Sequence, residues 1–240
     1  MTLKATYEYI EKENKMKRRA NMNFRRSDHS VVYNKGYLYA VGAFVDGKFS
    51  NSMERYTVSQ DQWHQHKIKN LTESEENSEA KEIEQDLWEL KDSMQIPRSG
   101  VGLCVFNFNY LYAFGGRNAN NFHLDIIEKY DISKDLWEVV DNVKTDIWKG
   151  GAYLCQAHQV SSKRIIIFGK SGMQFDDSEP LKTCFEYTPE TGDFVEAEQL
   201  AQHSAFVNPG ICFNDALYYV GRNFKIHRYN EKWSIYNNSV

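Results

Sequence analysis

Four apolar runs that end in glycine divide the chain at regular intervals, and this repetition constrains the fold more than any other feature. The four glycines are 73, 54 and 52 residues apart. The last two intervals match a repeat of about 50 residues, whereas the first carries roughly 20 more. The runs are YLYAVGA (37–43), YLYAFGG (110–116), RIIIFGK (164–170) and ALYYVGR (216–222).

A tyrosine followed by a second aromatic residue marks the later part of each unit. The tyrosine ends MERY (53–56), IEKY (127–130), CFEY (184–187) and IHRY (226–229). Seven residues separate it from Trp63, Trp137 and Phe194 in the first three units, and four separate it from Trp233 in the last. A short polar turn lies between the two aromatic residues, which predicts a pair of strands joined by a tight connection.

A further short apolar run comes before each glycine run. These runs are HSVVY (29–33), SGVGLCVF (99–106), GAYLCQA (151–157) and NPGICF (208–213). Each unit therefore contains four short strands, which we label a to d, without helical periodicity between them. Four antiparallel strands per repeat predict the blade of a β-propeller, whose twisted sheet buries both faces only against neighbouring blades.

The units resemble the kelch repeat over about residues 5–236. The resemblance lies in the glycines after strand b, the aromatic residues of strands c and d, and the segments that lead into strand a. These segments contain Arg26, Ser27 and His29, or Met94, Arg98 and Ser99. The resemblance implies an all-β kelch-type β-propeller with four-stranded antiparallel blades. Because the units are fewer than the blades of a usual kelch propeller, we expect an incomplete, open ring.

The repeat divides this single propeller domain into six parts. They are strands c and d of a partial N-terminal blade (1–26), blade 1 (27–70), an acidic insertion in a d–a loop (71–92), blade 2 (93–142), blade 3 (148–198) and blade 4 (203–240).

The charged stretch YEYIEKENKMKRR (7–19) has two interpretations. Its apolar residues have helical spacing, which indicates a helix or a tail. However, Tyr9 precedes Met16 by the same seven residues that separate strands c and d of later units. We therefore favour two strands of a partial blade. An open propeller of this kind exposes strand edges and an apolar blade face, so we expect self-association through its open edges.

The segment 71–92 has nine acidic and two basic residues, a net charge of −7. Its place after Trp63 puts it in the d–a loop of blade 1. It predicts a short acidic amphipathic helix or a loop that becomes ordered on a basic partner, although a tolerated solvated insertion fits equally well. DLWELK (86–91) also fits strand d, in which case DQWHQH (61–66) belongs to the insertion.

The b–c and d–a loops of a four-stranded blade leave the sheet at the same end and so line one rim. The b–c loops mix asparagine, aromatic and charged residues, which suits protein binding, although asparagine and glycine also form turns for structural reasons alone. The candidate partner-binding residues are Phe44, Phe49, Arg117, Asn118, Asn121, Phe122, His123, Phe175, Arg222, Phe224, Glu75, Glu76 and Trp88.

The composition limits the classes of function and the location. A net charge of −4 argues against a general nucleic-acid-binding protein. The sequence has no apolar run long enough to cross a membrane and no apolar core of a secretion signal, so we expect a cytoplasmic protein without a membrane partner.

The cysteines and histidines predict neither a metal site nor a cofactor. The four cysteines form no CxxC motif, and Cys104, Cys155 and Cys212 take matching positions in strand a, where a small apolar residue packs well. His64 and His66 have no third ligand in the sequence.

These observations predict a non-enzymatic module that binds a protein partner of unknown identity through the b–c/d–a rim. Kelch relatives include scaffolds and substrate receptors of ubiquitin ligases, and the chain could be a fragment of such a receptor. Other relatives are copper oxidases, so a catalytic, metal-oxidase-like propeller is the first alternative. A truncated paralogue without a function of its own is the second.

Overall fold

The structure is a computed structural model that describes residues 3–58, 87–120, 123–141, 143, 151–170, 183–197, 210–213, 216–220, 226–230 and 232–235. Its strands form one two-stranded sheet and four four-stranded antiparallel sheets. In each four-stranded sheet the strands are neighbours in chain order, as the predicted blades require. The predicted all-β fold with four-stranded antiparallel blades is therefore confirmed.

The strand bounds follow the repeat closely. The N-terminal sheet has β1 (Tyr7–Ile10) and β2 (Lys15–Arg18), joined by a 3-10 helix (Glu11–Glu13). Blade 1 has β3 (Ser30–Asn34), β4 (Tyr37–Val45), β5 (Lys48–Thr57) and β6 (Trp88–Lys91). Blade 2 has β7 (Gly102–Phe106), β8 (Tyr110–Phe114), β9 (Ile127–Asp131) and β10 (Leu136–Val139). Blade 3 has β11 (Tyr153–Gln159), β12 (Ile165–Lys170), β13 (Thr183–Thr188) and β14 (Asp193–Glu196). Blade 4 has β15 (Ile211–Phe213), β16 (Ala216–Val220), β17 (Ile226–Asn230) and β18 (Lys232–Ile235).

The repeated tyrosine and its aromatic partner lie directly opposite each other on strands c and d. In blade 2, Tyr130 pairs with Trp137 across the strands, and the two ring centroids are 5.3 Å apart. In blade 3, Tyr187 pairs with Phe194, and their centroids are 4.8 Å apart. Such pairs bury large apolar areas, and each packs against the face of the preceding blade. The tyrosine–aromatic spacing in the sequence is therefore the register of strands c and d.

Blade 1 corrects the predicted position of its strand d. Tyr56 pairs with Trp88, not with Trp63, and the two ring centroids are 5.4 Å apart. Trp88 is only 7% exposed and belongs to the core between blade 1 and the N-terminal sheet. The alternative interpretation of 86–91 as strand d was therefore right, and the assignment of all of 71–92 to an insertion was wrong. A longer connection costs little closure entropy, so pairing and burial decide which tryptophan completes the sheet.

The charged N-terminal stretch forms a strand hairpin, as the repeat predicted, and not a helix. Strands β1 and β2 are antiparallel, and Tyr9 pairs with Met16 in the register of Tyr130 and Trp137. The 3-10 helix ends at Asn14, which takes a left-handed conformation with φ 48°. The sheet corresponds to strands c and d of a blade, placed before blade 1 in the arc.

A buried ion pair anchors the segment that leads into strand a in blades 1 and 2. Arg26 donates to Glu54 Oε1 from Nε at 3.0 Å and from Nη2 at 2.8 Å, and both side chains are fully buried. Arg98 and Glu128 form the equivalent buried pair at 3.2 Å. Burial lowers the pKa of Arg98 to about 10, so its guanidinium remains charged at neutral pH.

The glycine after strand b marks where the next blade makes its closest approach. Gly42 has φ +62°, and a Cβ atom there would lie 2.7 Å from the carbonyl oxygen of Arg98 in blade 2. Gly115 has φ +61°, and its Cβ would lie 2.2 Å from the carbonyl oxygen of Ala152 in blade 3. The repeated glycine therefore serves both a left-handed backbone and close packing between blades.

The strand-a cysteines do not occupy matching positions, contrary to the prediction. Cys104 lies opposite Tyr112, whereas Cys212 lies opposite Leu217, one step further along the strand. Cys155 falls in an irregular part of β11, where the register shifts between Tyr153 and Gln156. Cys104 and Cys155 are buried as predicted, but Cys212 is exposed, and its Sγ donates to the carbonyl oxygen of Gln159 at 3.3 Å.

We expect Trp88→Ala to lower the free energy of unfolding by about 3–5 kcal/mol, because it removes a buried aromatic side chain from strand d. Equilibrium unfolding in urea measures the change. The matched control is Leu90→Ala on the same strand, whose side chain is exposed and whose loss should cost within about 0.5 kcal/mol. Equal stability of the two variants would contradict the assignment of Trp88–Lys91 to strand d.

We expect Arg98→Met to cost about 3–5 kcal/mol of unfolding free energy, because it leaves the Glu128 carboxylate buried without its counter-ion. The double variant Arg98→Met/Glu128→Leu should recover part of this loss in the same urea experiment. Lys129→Met is the control, since Lys129 and Glu138 form a partly exposed pair at 3.4 Å and its removal should cost less than about 1 kcal/mol. A loss for Arg98→Met no larger than for this control would show that the buried pair does not anchor the blade.

Candidate functional site

The loops after strand b and the segments before strand a meet at one end of the blades. Phe44 exchanges two backbone hydrogen bonds with Ser27 at 2.8 and 3.1 Å. Arg117 does the same with Ser99 at 2.9 and 3.0 Å. These two bridges place the b–c and d–a segments of blades 1 and 2 on a common rim, where the sequence predicted the binding surface to lie.

Arg117 lies at the centre of an aromatic cluster on this rim, to which three blades contribute. Its guanidinium carbon is 4.7 Å from the ring centroid of Tyr153 and 5.8 Å from that of Phe49. Its Nη2 atom is 3.6 Å from a carboxylate oxygen of Asp28. Phe49 and Asp28 come from blade 1, Arg117 from blade 2 and Tyr153 from blade 3, so we call these four residues the Arg117 cluster.

The Arg117 cluster holds its charge at the boundary between protein and solvent. The side chain of Arg117 is 29% exposed, and its Nε atom is buried without a hydrogen-bond partner among the described residues. Burial raises the pKa of Tyr153 by more than the Arg117 charge lowers it, so the phenol remains protonated at neutral pH. The guanidinium is thus fixed in orientation by two rings and retains hydrogen-bonding capacity.

Two more of the predicted residues adjoin the Arg117 cluster. Phe44 packs edge-on against Phe49, with ring centroids 5.1 Å apart. The ring of His123 lies 6.5 Å from that of Tyr153. Four of the residues that the sequence singled out, Phe44, Phe49, Arg117 and His123, therefore lie around one site.

The remaining predicted residues divide into three groups. Asn118 is half-buried on the b–c loop, where its Oδ1 accepts a hydrogen bond from the backbone N–H of Asn120 at 3.0 Å, as in an ordinary turn. Trp88 is buried in the core and is not a surface residue, which corrects its selection as a contact. The others lie outside the described residues: Asn121, Phe122, Phe175, Arg222, Phe224, Glu75 and Glu76.

Sequence reasoning missed Asp28 and Tyr153, which complete the Arg117 cluster. Both belong to the segments at the start of strand a, whose residues the repeat pattern assigns to structure. Asp28 has φ +52° and Gly100 has φ +64°, and a backbone hydrogen bond of 2.9 Å from the Gly100 N–H to the Asp28 carbonyl joins them. An aspartate in the place that glycine takes in the next blade was the available signal, because aspartate tolerates the left-handed conformation and adds a charge.

Most of the acidic segment lies in residues 59–86, which are outside the described residues and are attached at the end of blade 1 opposite the rim. Val58 follows strand c and Leu87 precedes strand d, so 59–86 connects strands c and d. The c–d connections share the end of the blade with the a–b turns. The assignment of this segment to a d–a loop was therefore wrong, because strand d is Trp88–Lys91, and residues 59–86 themselves lie outside the described part of the chain.

The first strands of the four blades line a central channel with a volume of about 640 Å³. Its wall is mainly apolar, with His29, Gln156 and His158 among its polar groups. Burial lowers the pKa of His158 to about 4, and burial together with the Arg26 charge lowers that of His29. Both imidazoles are therefore neutral at neutral pH and offer hydrogen bonds without charge.

The channel thiols are poorly suited to nucleophilic chemistry. Burial raises the pKa of Cys155 to about 12 and that of Cys212 to about 11, and it also raises that of Cys104. These thiols are protonated at neutral pH, and the thiolate is the nucleophile. Across the described part of the chain, no group of three or more histidine, cysteine and acidic residues is arranged to hold a metal ion. The same residues include no helix long and apolar enough to span a membrane.

Comparison with known families agrees with this architecture. The family model described as the Kelch motif matches residues 25–65 and 97–148, which cover most of blades 1 and 2. No curated protein matches the chain. The matched parts hold the two buried arginine–glutamate pairs, and the first match ends before the strand Trp88–Lys91 that completes blade 1. These two matches, together with the repeated four-stranded blades, support a kelch-repeat family.

Proposed function

We propose that this kelch protein is a non-enzymatic interaction module that binds a protein partner through the b–c/d–a rim, with the Arg117 cluster as its central contact. Kelch propellers typically mediate protein–protein interaction. The observation that carries the proposal is a half-exposed guanidinium held between the rings of Phe49 and Tyr153. A scaffold or a substrate receptor of a ubiquitin ligase would use such a contact.

The residue types of the Arg117 cluster support this proposal. Arginine and tyrosine dominate the energetics of protein interfaces, because each combines a large apolar area with directional hydrogen bonds. The rings immobilise the arginine before a partner arrives, so binding costs little side-chain entropy. The structural Arg26 differs from Arg117 in being fully buried, with four hydrogen bonds to Glu54, Gly42 and Ser52.

The electrostatics of the cluster favour a partner that presents a carboxylate or a backbone carbonyl. The contact between Arg117 and Asp28 is 3.6 Å, longer than a hydrogen bond, so Asp28 does not occupy the donors of the guanidinium. The two outer nitrogens of an arginine form a fork that matches carboxylate oxygens. The flanking rings of Phe49 and Phe44 would then cover apolar atoms of the partner.

Capture of partners from cell extract, quantified by mass spectrometry, tests the proposal. We expect Arg117→Ala and Phe49→Ala to reduce the recovery of the same proteins by at least about tenfold, as the loss of a central interface residue does. Arg117→Lys retains the charge but not the planar fork, so its recovery should be intermediate. Reversible thermal unfolding of each purified variant confirms that it is folded.

Lys134→Ala provides the matched control, because Lys134 is an exposed cation at the other end of blade 2, paired with Asp131 at 3.4 Å. Its capture profile should equal that of the wild type. Indistinguishable profiles for Arg117→Ala, Phe49→Ala and Lys134→Ala would overturn the proposal that the Arg117 cluster binds the partner.

A second proposal concerns self-association, and a separate observation favours it. Tyr9 and Met16 hold the same paired positions as Tyr130 and Trp137. Tyr130 and Trp137 are each 1% exposed, whereas Tyr9 is 56% and Met16 is 62% exposed. We infer that a second copy of the chain covers them. The tyrosine–aromatic pairs of blades 2 and 3 pack on the preceding blade, so the occupant they fit is a blade face.

Blade 4 carries the complementary half of that interface. Ile226 pairs with Val220 as Met53 pairs with Val41, so the two residues hold equivalent positions. Met53 is fully buried under blade 2, whereas Ile226 is 39% exposed. Blade 4 of one copy can therefore receive the N-terminal sheet of another in a head-to-tail contact.

Sedimentation equilibrium over a range of protein concentrations tests the head-to-tail contact. We expect concentration-dependent association of the wild type, and weaker association for both Tyr9→Ser/Met16→Ser and Ile226→Ser, because each removes one half of the same apolar interface. Tyr33→Ser, which changes an exposed aromatic residue of strand a, is the control and should associate like the wild type. A wild-type protein that stays monomeric throughout, or associates equally in all variants, would contradict this proposal.

A further inference from the structure

Strand β1 (Tyr7–Ile10) is paired along one edge only. In each of the four blades strand c lies between strands b and d, whereas the N-terminal sheet consists of β1 and β2 in the described part of the chain. Because β1 and β2 correspond to strands c and d, the other edge of β1 is the one along which strand b lies in a blade. We call it the free edge of β1.

The hydrogen bonds between β1 and β2 show which backbone groups point to the free edge. The Arg19 N–H donates to the carbonyl oxygen of Thr6 at 2.9 Å, so Thr6 faces β2. Because alternate residues of a strand form the hydrogen bonds to one neighbour, Glu8 also faces β2, whereas Tyr7 and Tyr9 face the free edge. Their N–H and C=O groups have no backbone partner among the described residues. Both residues are more than half exposed, so a ligand can reach these two donors and two acceptors.

Val31 marks an apolar surface on blade 1 that a strand at the free edge would cover. It pairs with Ala40 in blade 1, and Leu103 holds the equivalent position in blade 2, where it pairs with Ala113. Leu103 is 7% exposed and shares a core cluster with Tyr39 of strand b in the preceding blade. Val31, in contrast, is 48% exposed. The surface that strand b of a preceding blade covers in blade 2 is therefore open in blade 1.

An extended backbone matches both features of this site. Donors and acceptors in a row along the edge of a sheet pair with an added strand, which is the mode of recognition called β-augmentation. Within blade 2 this place belongs to strand b, where Leu111, Ala113 and Phe114 are fully buried. Every second side chain of an added strand points to the same face, so apolar residues at alternate positions would pack toward Val31.

The charge of the N-terminal sheet favours acidic residues beside this apolar stretch. Residues 3–25 contain seven basic and three acidic residues, a net charge of +4, although the whole chain carries −4. Lys15, Lys17 and Arg18 are exposed on β2. A strand at the free edge would lie two strand spacings from β2, about 10 Å away, which is comparable to the Debye length at about 0.1 M salt. Carboxylates of the ligand would therefore be attracted to this sheet.

We propose that the free edge of β1 binds an extended segment of a partner protein, in which apolar residues alternate along the strand and acidic residues flank them. The segment exchanges backbone hydrogen bonds with Tyr7 and Tyr9 and packs apolar side chains toward Val31. This site is distinct from the Arg117 cluster on the rim. It is also distinct from the head-to-tail contact, which uses the side chains of Tyr9 and Met16 and not their backbone groups.

Fluorescence anisotropy of the labelled peptide acetyl-EVTVTVTE-amide, titrated with the full chain, tests the proposal, and we expect saturable binding. Tyr9→Pro removes an N–H from the free edge but none of the bonds between β1 and β2, whereas Tyr9→Ala retains that N–H. We therefore expect Tyr9→Pro to bind at least about tenfold more weakly than Tyr9→Ala. Circular dichroism verifies that both variants are folded.

A second pair of variants tests the apolar surface. Val31→Ser should weaken binding about three- to tenfold, because it removes apolar area that the peptide covers. Val195→Ser is the matched control, since Val195 is an exposed valine of blade 3, and it should bind like the wild type. Phe49→Ala on the rim should also bind like the wild type, so a failure of the rim site does not affect this experiment.

Amide hydrogen exchange, measured by NMR on the isotope-labelled protein, locates the bound peptide. The peptide should slow exchange at Tyr7 and Tyr9 but not at Glu8, which already faces β2. The charge-reversed peptide acetyl-KVTVTVTK-amide should bind at least about threefold more weakly, because it is repelled by the basic sheet.

Several outcomes would overturn the proposal. They are absence of saturable binding, equal affinity of Tyr9→Pro and Tyr9→Ala, unchanged affinity of Val31→Ser, and equal affinity of the two peptides. Slow exchange at Tyr7 and Tyr9 without peptide would overturn it as well. If that protection is independent of protein concentration, another part of the chain covers the free edge, and if it grows with concentration, a second copy does.

Discussion

The buried ion pair between the lead-in arginine and the strand-c glutamate is the contact on which the blade geometry depends. The Glu54 carboxylate accepts hydrogen bonds from the backbone N–H groups of Asn23 and Phe24, while Arg26 donates to the carbonyl oxygens of Gly42 and Ser52. The pair therefore ties the d–a connection to strands b and c of the same blade. Breaking it would leave a desolvated charge and several unpaired backbone groups, which is far more costly than losing a surface ion pair.

The pair also explains where the family resemblance is strongest. Glu54 and Glu128 precede the strand-c tyrosine by two residues, and this place is taken by Phe185 in blade 3 and His227 in blade 4. Both replacements are buried. Where the glutamate is absent, a buried phenylalanine or histidine takes its position in strand c. The two matches to the Kelch motif fall on the blades that retain the pair.

Periodic features of the fold could be predicted from the sequence, whereas features that depend on a choice between equivalent residues could not. The tyrosine–aromatic spacing gave the c–d register, even for Tyr9 and Met16 in a stretch with the charge of a tail. The same spacing misplaced strand d of blade 1, because Trp63 has the seven-residue spacing of the other units, yet Trp88 is the residue that pairs with and packs on Tyr56. Counting along strand a likewise could not reveal the register shift near Cys155.

The residues of the candidate site could likewise be predicted only in part. Phe44, Phe49, Arg117 and His123 were accessible to prediction because the b–c connections reach the rim, although Phe44 and Phe49 lie at the ends of β4 and β5 and not in a loop. Asp28 and Tyr153 were not, since their part in the cluster depends on how three blades pack.

The short distance along the chain between Arg26 and Asp28 has a consequence for how the rim meets a partner. Arg26 anchors the lead-in segment in the core, and Asp28, two residues later, faces Arg117. The rim is therefore held as rigidly as the core. A surface of this kind does not need to reorganise during an encounter. Its association rate would then be set by diffusion and orientation rather than by a conformational step, and differences in affinity among partners would lie mainly in how slowly each one leaves.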